Sequence, residues 1–456
     1  EAFKKWSVTP LEERARALRK LARLVEENRY YIDAWNVEES GKNWGEADGE
    51  LCEALDFFNS YIMHMRELDQ GLELVYTEES CKCIYIPIGV GVAVPPWNFP
   101  LSLLAGMVVS AVITGNTIVC KPSSDTPIVA YKFIELCEKA GFPAGVINFI
   151  PGSGSVIGDY IVQHPLTRFV NFTGSKEVGL RINQKAAQVS EGQIWIKRVV
   201  AEMGGKNAII VDSSADLKRA AAGIANSAFS FQGQKCSACS RAVVLSDVYD
   251  VFVEEIIACA KVLKEHQGSG RDDFPMGPVI NQSAFNRISG YIETARKEGM
   301  IAFGGNYDDS KGFYIEPTVV RDITKDAVIA KEEIFGPVLP ILTYDSINEA
   351  VNNIRAMSHP LALYIFAGDT HVAENVIARI GFGGGCINDT LIHLATSEMP
   401  FGGFGESGMG SYHGKTGFDT FTHYKSIVDK KTWLDLPMRY QPYKKINNKL
   451  LHMFLK

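Results

Sequence analysis

Hydrophobic and polar positions alternate along the chain in two different periods. Near the start, Leu11, Leu18, Leu21 and Val25 recur at the spacing of one helix face. They follow Thr9-Pro10-Leu11-Glu12, which has the spacing of a capping box with proline at the first helical position. This pattern predicts that the chain begins with an amphipathic helix.

From about residue 82 the pattern changes to short β-branched segments separated by helical stretches rich in Ala and Leu. The segments include IYIPIGVGVAV, NTIVC, VINFI, RFVNF and NAIIV, and Gly or Ser residues follow them. Alternation of this kind predicts a doubly wound parallel sheet with helices on both faces. Such sheets hold ligands at the carboxyl ends of their strands, so we expect a nucleotide there.

A second region of the same kind, with segments RAVVL, VLPIL and ALYIF, follows and predicts a second α/β domain. Residues 420–428 predict a strand far from its sequence neighbours, suited to pair with another subunit in a homo-oligomer. The expected organisation is a nucleotide-binding domain (1–75 and 94–203), a catalytic domain (204–404), oligomerisation strands (76–93 and 405–430) and a basic tail (431–456). The tail is either solvated or a helix that covers a site or touches a lipid surface.

Composition narrows the class of protein. With 456 residues, of which 46% are hydrophobic and 22% charged, the chain is long enough for two or three packed domains. The net charge of −7 argues against nucleic acid as a partner. Nine scattered cysteines indicate free thiols of a reducing compartment, and no apolar run reaches the roughly 18 residues of a membrane span, so a cytoplasmic enzyme is expected.

Three residues are candidates for chemistry. Cys236 lies among small and polar residues beside a lysine and after Gly233, which suits a reactive thiol but equally a structural one. Glu202 follows the apolar segment 199–201, where desolvation would raise the pKa of its carboxylate and so suit a general base. The alternative is an ordinary N-cap or ion-paired residue. Asn98 stands in a rigid proline-bounded turn and either presents its amide to an oxyanion or only shapes the turn.

A metal site is not indicated. Cys236 and Cys239 form a single CxxC pair, and zinc would need a second pair of Cys or His at ligand spacing, which is not evident.

Seven motifs in order give the sequence a resemblance to the aldehyde dehydrogenase superfamily over essentially the whole chain. They are PWNFP (96–100), TGNTIVCKPS (114–123), FTGS (172–175), EMGGKNAII (202–210), GQKCSACSR (233–241), EEIFGPV (332–338) and PFGG (400–403). The resemblance implies a Rossmann-like NAD-binding domain, an α/β catalytic domain and a small β oligomerisation flap. It also implies NAD(P)-dependent oxidation of an aldehyde to a carboxylic acid.

By the same resemblance, Cys236 is the nucleophile, and the Asn98 amide and the Cys236 backbone N–H hold the oxyanion. Glu202 matches the base that activates water to hydrolyse the thioester. The residues implied to hold the cofactor are Pro96, Trp97, Lys121, Ser124, Ser175, Gly204, Glu333 and Phe335. Ser124 stands where strongly NAD-selective relatives often carry Glu, so NADP should be tolerated beside NAD.

The two parts of the chain resemble subfamilies that act on different substrates. Up to about residue 325 the chain is most similar to 1-pyrroline-5-carboxylate dehydrogenases, which implies oxidation of L-glutamate γ-semialdehyde to L-glutamate, with Phe99 and Ser237 at the substrate. From about residue 332 it resembles class 3 and fatty aldehyde dehydrogenases. The loop 391–400 contains no glycine to clamp a carboxylate, whereas Leu391, Ile392 and Leu394 would line a site for an aliphatic, fatty or aromatic aldehyde.

Overall fold

The computed structural model describes residues 1–76, 79–269, 274–357 and 360–430, together with 433, 440–442 and 452. The helices of this part are α1 (Ala2–Trp6), α2 (Leu11–Glu27), α3 (Arg29–Ser40), α4 (Trp44–Leu68), α5 (Ser102–Ile113), α6 (Pro127–Ala140), α7 (Asp159–Gln163), α8 (Lys176–Ala187), α9 (Leu217–Phe229), α10 (Tyr249–Glu265), α11 (Gln282–Glu298), α12 (Val328–Lys331), α13 (Ile347–Arg355), α14 (Thr370–Arg379) and α15 (Gly414–Phe421).

The strands alternate with these helices over most of the chain. They are β1 (Leu72–Tyr76), β2 (Glu79–Pro87), β3 (Val90–Val94), β4 (Thr117–Cys120), β5 (Ile147–Phe149), β6 (Thr167–Gly174), β7 (Arg198–Met203), β8 (Ala208–Val211), β9 (Arg241–Leu245), β10 (Met300–Phe303), β11 (Tyr307–Asp308), β12 (Tyr314–Ile315), β13 (Thr318–Arg321), β14 (Val338–Tyr344), β15 (Ala362–Phe366), β16 (Gly384–Ile387), β17 (Gly408–Met409) and β18 (Thr422–Asp429).

The start of the chain differs from the prediction. The short helix α1 precedes the amphipathic helix, which begins at Leu11 with Pro10 as its N-cap. Thr9 does not cap this helix, because its hydroxyl donates to the Lys5 carbonyl at 3.0 Å and so ends α1 instead. The predicted face is correct, since Leu18, Leu21 and Val25 are fully buried.

The first sheet has the order β17-β7-β6-β3-β4-β5, and all of its strands are parallel except β17. The chain runs outward from β3 through β4 to β5 and then crosses to β6 on the other side of β3. The carboxyl ends of β3 and its neighbours therefore form the switch point at which doubly wound sheets bind ligands. The second sheet has the order β10-β13-β14-β9-β8-β15-β16 and is parallel except for β10.

A third sheet joins β1, β2 and β18 in antiparallel register. Its strands cover residues 72–76, 79–87 and 422–429, whereas the predicted oligomerisation strands are 76–93 and 405–430. Strand β3, most of which falls within the predicted residues 76–93, instead lies inside the first sheet between β6 and β4. Its Val92 and Ala93 are buried. Within residues 405–421, β17 pairs with β7, and α15 packs on α4. The predicted basic tail lies, apart from residues 433, 440–442 and 452, outside the described residues.

A buried ion pair connects the N-terminal helices to the turn that carries Asn98. The Lys42 ammonium bonds the Glu50 carboxylate, and both side chains are buried. Glu50 Oε1 also accepts from the amides of Leu101 (2.7 Å) and Ser102 (3.0 Å) at the start of α5. Buried charges are tolerated where each is paired and hydrogen-bonded, as here, so the entry to α5 is held firmly in place.

Candidate functional site

A cavity of about 570 Å³ lies at the carboxyl edge of the first sheet. It is lined by Val94, Pro96, Trp97, Asn98, Lys121, Ser123, Ser124, Asp125, Gly154, Phe172, Thr173, Gly174, Ser175, Val178, Met203, Gly204, Cys236, Arg287, Glu333 and Phe335. All the residues expected at the cofactor therefore line this cavity, together with Asn98 and Cys236.

One part of the cavity suits phosphate and ribose groups. Ser175 caps α8 by accepting from the Val178 amide at 3.4 Å, so the positive end of a twelve-residue helix faces the cavity, where it favours an anion. The Lys121 ammonium donates to the Pro122 carbonyl at 2.9 Å, and burial lowers its pKa. Ser124 is exposed at the rim and carries no charge.

Another part is built by Gly204, Glu333 and Phe335. The Gly205 amide donates to the Glu333 carboxyl at 3.3 Å, and burial raises the pKa of Glu333 to about 7. A Cβ on Gly204 would lie 2.1 Å from that carboxyl, so any larger residue there would have to displace the Glu333 side chain. The Phe335 ring meets Trp97 edge-on, with centroids 5.6 Å apart. The Lys121 ammonium, the amino end of α8 and the wall built by Gly204, Glu333 and Phe335 together fit a nicotinamide dinucleotide.

Cys236 lies in an irregular loop between a 3₁₀ turn (230–233) and the amino end of β9. The turn is strained, because Phe231 and Gln232 have φ values of +47° and +56°. Gly233 follows at +68°, and a Cβ there would lie 2.6 Å from the Gly336 carbonyl. The prediction that this glycine permits a close backbone approach is consistent with that geometry.

Glu202 lies near the end of β7 and is buried beside the Cys236 thiol. Burial raises the pKa of Glu202 to about 7, while hydrogen bonds from Cys236 and from Thr173, whose hydroxyl lies at 3.3 Å, offset part of the rise. Burial and the neighbouring carboxylate together raise the pKa of Cys236 well above its usual range. The resting pair is therefore a neutral thiol next to a carboxyl group that titrates near neutrality.

Asn98 completes the group. Its Nδ2 donates one hydrogen to the Gln234 carbonyl at 2.9 Å, and the second hydrogen of the amide remains for another acceptor. Because Asn98 and Cys236 line one cavity and Glu202 lies beside Cys236, the structure brings together the three residues that the sequence singled out.

A second cavity of about 360 Å³ adjoins the same segments. Phe99 and Lys235, each next to a residue of the first cavity, line it together with Lys42, Glu46, Gly49, Glu50, Cys52, Glu53, Asp56, Phe57, Leu391, Leu394, Ala395 and Ser397. Of the predicted substrate residues, Phe99 and Leu394 thus face an open space. Ser237 is buried and lines neither cavity, and Ile392 is exposed.

Sequence reasoning missed several residues of the site. Thr173 lies within the FTGS motif, and its contact with Glu202 could have been sought there. Arg287 comes from the middle of α11 and donates to the Ile334 carbonyl, and no local pattern marks it. Asn207 directly follows the EMGGK segment and bonds the backbone of the Cys236 loop.

The described residues contain neither a grouped set of metal ligands nor a membrane-spanning helix. No three His, Cys, Asp or Glu side chains there are grouped so that they could hold a metal ion. None of the helices in the described part is both long and apolar enough to cross a membrane.

The chain belongs to the aldehyde dehydrogenase family, whose model matches residues 1–427. It is 46% identical over 415 residues to a 1-pyrroline-5-carboxylate dehydrogenase of Geobacillus thermodenitrificans, a match that covers 91% of this chain and 80% of the relative. The structure of 1-pyrroline-5-carboxylate dehydrogenase from Thermus with bound NAD superposes with a TM-score of 0.89 at 37% identity, covering 94% of this chain and 83% of that one.

Betaine aldehyde dehydrogenase of Staphylococcus aureus in complex with NAD⁺ has the same fold, with a TM-score of 0.89 at 31% identity over 96% of this chain and 87% of that one. The expected family and α/β fold are therefore confirmed. The resemblance of the C-terminal part to class 3 and fatty aldehyde dehydrogenases is not confirmed by these similarities.

Titration of Glu202 predicts the pH dependence of turnover. Only the ionised carboxylate accepts a proton, so kcat should rise with pH, about tenfold per unit below pH 7, and level off above about pH 8. Glu202→Gln should lower kcat at least about 100-fold and remove this limb, whereas the exposed Glu12→Gln should change neither. Steady-state measurements of kcat from pH 5.5 to 9 test this prediction. If kcat of Glu202→Gln still rose with pH as in the natural protein, Glu202 would not be the base.

Proposed function

We propose that this protein oxidises L-glutamate γ-semialdehyde to L-glutamate, with NAD as hydride acceptor and NADP as a tolerated substitute. The observation that carries the proposal is the convergence of Cys236, Glu202 and Asn98 at one cavity whose remaining walls fit a dinucleotide. Relatives that carry the name 1-pyrroline-5-carboxylate dehydrogenase support the choice of substrate.

The residues suit two successive steps, oxidative acylation of Cys236 and hydrolysis of the resulting thioester. Cys236 gives its proton to Glu202 and adds to the aldehyde carbon, and the Asn98 amide and the Cys236 backbone N–H stabilise the oxyanion, each such donor being worth about 3 kcal/mol. A bound nicotinamide supplies the acceptor for the hydride lost from that carbon, which leaves a thioester on Cys236. Glu202 passes the proton from Cys236 to solvent, and its carboxylate then deprotonates water, which adds to the thioester carbon. The Cys236 thiolate leaves and takes up the proton now held by Glu202, and the acid is released. Overall, the aldehyde, NAD⁺ and water yield the acid, NADH and a proton.

The second cavity supplies the side-chain pocket of the substrate. Its two lysines are engaged by carboxylates, Lys42 by Glu50 and Lys235 by Glu46 at 3.2 Å. Glu53 and Asp56 remain to receive the α-ammonium of the semialdehyde. Burial raises the pKa of Glu53 to about 7, so a cation beside it would favour its ionised form.

A second candidate function is oxidation of an aliphatic or fatty aldehyde. Phe57, Phe99, Leu391 and Leu394 give the same cavity apolar walls. Leu391 adopts a φ of +66°, a conformation that glycine usually supplies, so the loop makes its turn without the glycine expected of a carboxylate clamp.

We also propose that the protein is a homo-oligomer assembled through the third sheet. After the buried Thr422, the remaining residues of β18 are exposed, and among the described residues no strand pairs with its outer edge. An exposed edge strand favours pairing with another chain. In this proposal the first sheet belongs to the cofactor-binding part, the second to the catalytic part and the third to the oligomerisation part.

Relative kcat/KM values for L-glutamate γ-semialdehyde and hexanal decide between the two substrates. The first should exceed the second by at least about tenfold, since one ionic contact in a desolvated pocket contributes more than 1.4 kcal/mol. Cys236→Ala should abolish both activities while NAD still binds in calorimetry. A ratio below one would favour the apolar aldehyde, and activity retained in Cys236→Ala would reject the mechanism.

Charge at position 124 should control the choice of cofactor. Ser124→Glu places a carboxylate at the rim of the cavity, where it would repel a 2′-phosphate, so kcat/KM for NADP should fall at least about tenfold while that for NAD changes little. Ser124→Gln, of equal size without charge, is the control and should leave the ratio near that of the natural protein. An equal loss with both cofactors would place the adenosine ribose elsewhere.

A further inference from the structure

The loop that carries the nucleophile is held by side chains from other elements. Asn207, which is buried just before β8, donates both hydrogens of its amide, one to the Cys236 carbonyl at 2.7 Å and one to the Ala238 carbonyl at 2.9 Å. Its Oδ1 accepts from the Ala362 amide at 2.9 Å. Every hydrogen-bonding atom of Asn207 that faces this region is therefore engaged, which fixes the orientation of its amide.

The Asn207 bond determines where the next amide points. In a trans peptide the C=O and the following N–H point in opposite directions. With the Cys236 carbonyl held by Asn207, the Ser237 N–H is directed to the Cys236 sulfur, where its hydrogen bond favours the thiolate and lowers the pKa of Cys236 against the larger effect of burial.

Tyr364 acts on the other side of the loop. Its ring is fully buried in β15, and its hydroxyl donates to the Ser237 carbonyl at 2.9 Å. The same peptide unit contains the Ala238 N–H, which donates to the Lys235 carbonyl at 3.1 Å. Because the Lys235 carbonyl is fixed in this way, the direction of the Cys236 N–H in that peptide, opposite to the carbonyl, is fixed as well.

We propose that Asn207 and Tyr364 are positioning residues with separate effects on the reaction. Asn207 orients the amide that stabilises the sulfur anion, and Tyr364, through two peptide units, orients the amide that stabilises the oxyanion. The proposal rests on the proposed role of Cys236 as nucleophile, but it concerns the two residues that aim the donors around it.

Two assays separate the two effects. Alkylation of Cys236 by iodoacetamide needs the thiolate but forms no oxyanion, whereas hydrolysis of p-nitrophenyl acetate needs both. Tyr364→Phe should lower ester hydrolysis and dehydrogenase kcat by the same factor, about 10- to 100-fold, with KM for NAD unchanged and alkylation within twofold of the natural protein. Alkylation is followed by mass spectrometry of the Cys236 peptide.

Asn207→Ser should differ from Tyr364→Phe by slowing alkylation as well as ester hydrolysis. The shorter side chain loses both bonds to the loop, so the pH midpoint for alkylation of Cys236 should rise by about one unit and alkylation at pH 7.5 should slow about tenfold. Tyr249→Phe is the matched control, since Tyr249 is another buried tyrosine of this domain, with its hydroxyl 3.4 Å from the Ile341 carbonyl and away from the loop. It should leave both assays within twofold.

Equal slowing of alkylation and ester hydrolysis in Tyr364→Phe would mean that the residue only packs the loop, and no change in either would mean that its hydroxyl is dispensable; both results overturn the proposal. If Asn207→Ser does not fold, Tyr364→Phe alone decides. If the natural protein cleaved the ester but oxidised no aldehyde, the proposed function would be refuted. The comparison of alkylation with ester hydrolysis would still test the positioning roles of Asn207 and Tyr364.

Discussion

The contact between the Glu202 carboxyl and the Cys236 thiol requires the two large sheets to meet. Glu202 lies near the carboxyl end of β7 in the first sheet, and Cys236 precedes the amino end of β9 in the second. Burial raises the pKa of both groups, so neither needs to be charged before an aldehyde arrives. A thiol and a base that share a proton can then generate the nucleophile beside the substrate, where water is scarce and the thiolate would otherwise be costly.

Rigidity around this contact comes from backbone groups that are held by side chains. The loop of Cys236 has a turn bond of its own, from the Ala238 N–H to the Lys235 carbonyl, and Asn98, Asn207 and Tyr364 bind four of its other carbonyls. Lys42 extends the same restraint, because its ammonium bonds Glu50 and lies 4.2 Å from the centroid of the Phe99 ring and 4.8 Å from that of Phe231. One buried cation thus contacts both the turn that follows Asn98 and the strained turn that precedes Cys236, which suits a site that must hold its geometry closely.

The sequence was most informative where a motif combined a residue type with a demand on the backbone. Cys236 after Gly233, Glu202 before Gly204 and Asn98 between prolines were all recognisable, and the structure brings them together. Long-range partners could not be predicted, since Asn207, Tyr364 and Arg287 meet the site only through sheet order and helix packing. Thr9 shows the limit of local patterns, because a capping-box spacing gave way to a bond with the preceding helix. Ser237, which the resemblance places at the substrate, is buried and lines neither cavity, so its role stays a prediction.

The central claim is that the acyl group of the substrate passes through the sulfur of Cys236 and leaves it by Glu202-assisted hydrolysis. Rapid acid quench of Glu202→Gln during its first turnover with L-glutamate γ-semialdehyde and NAD, followed by mass spectrometry of the peptides, measures this directly. The account predicts a near-stoichiometric acyl adduct on Cys236 that accumulates together with one equivalent of NADH per active site. NADH formation with no adduct on Cys236, or an adduct on Cys239 instead, would contradict it.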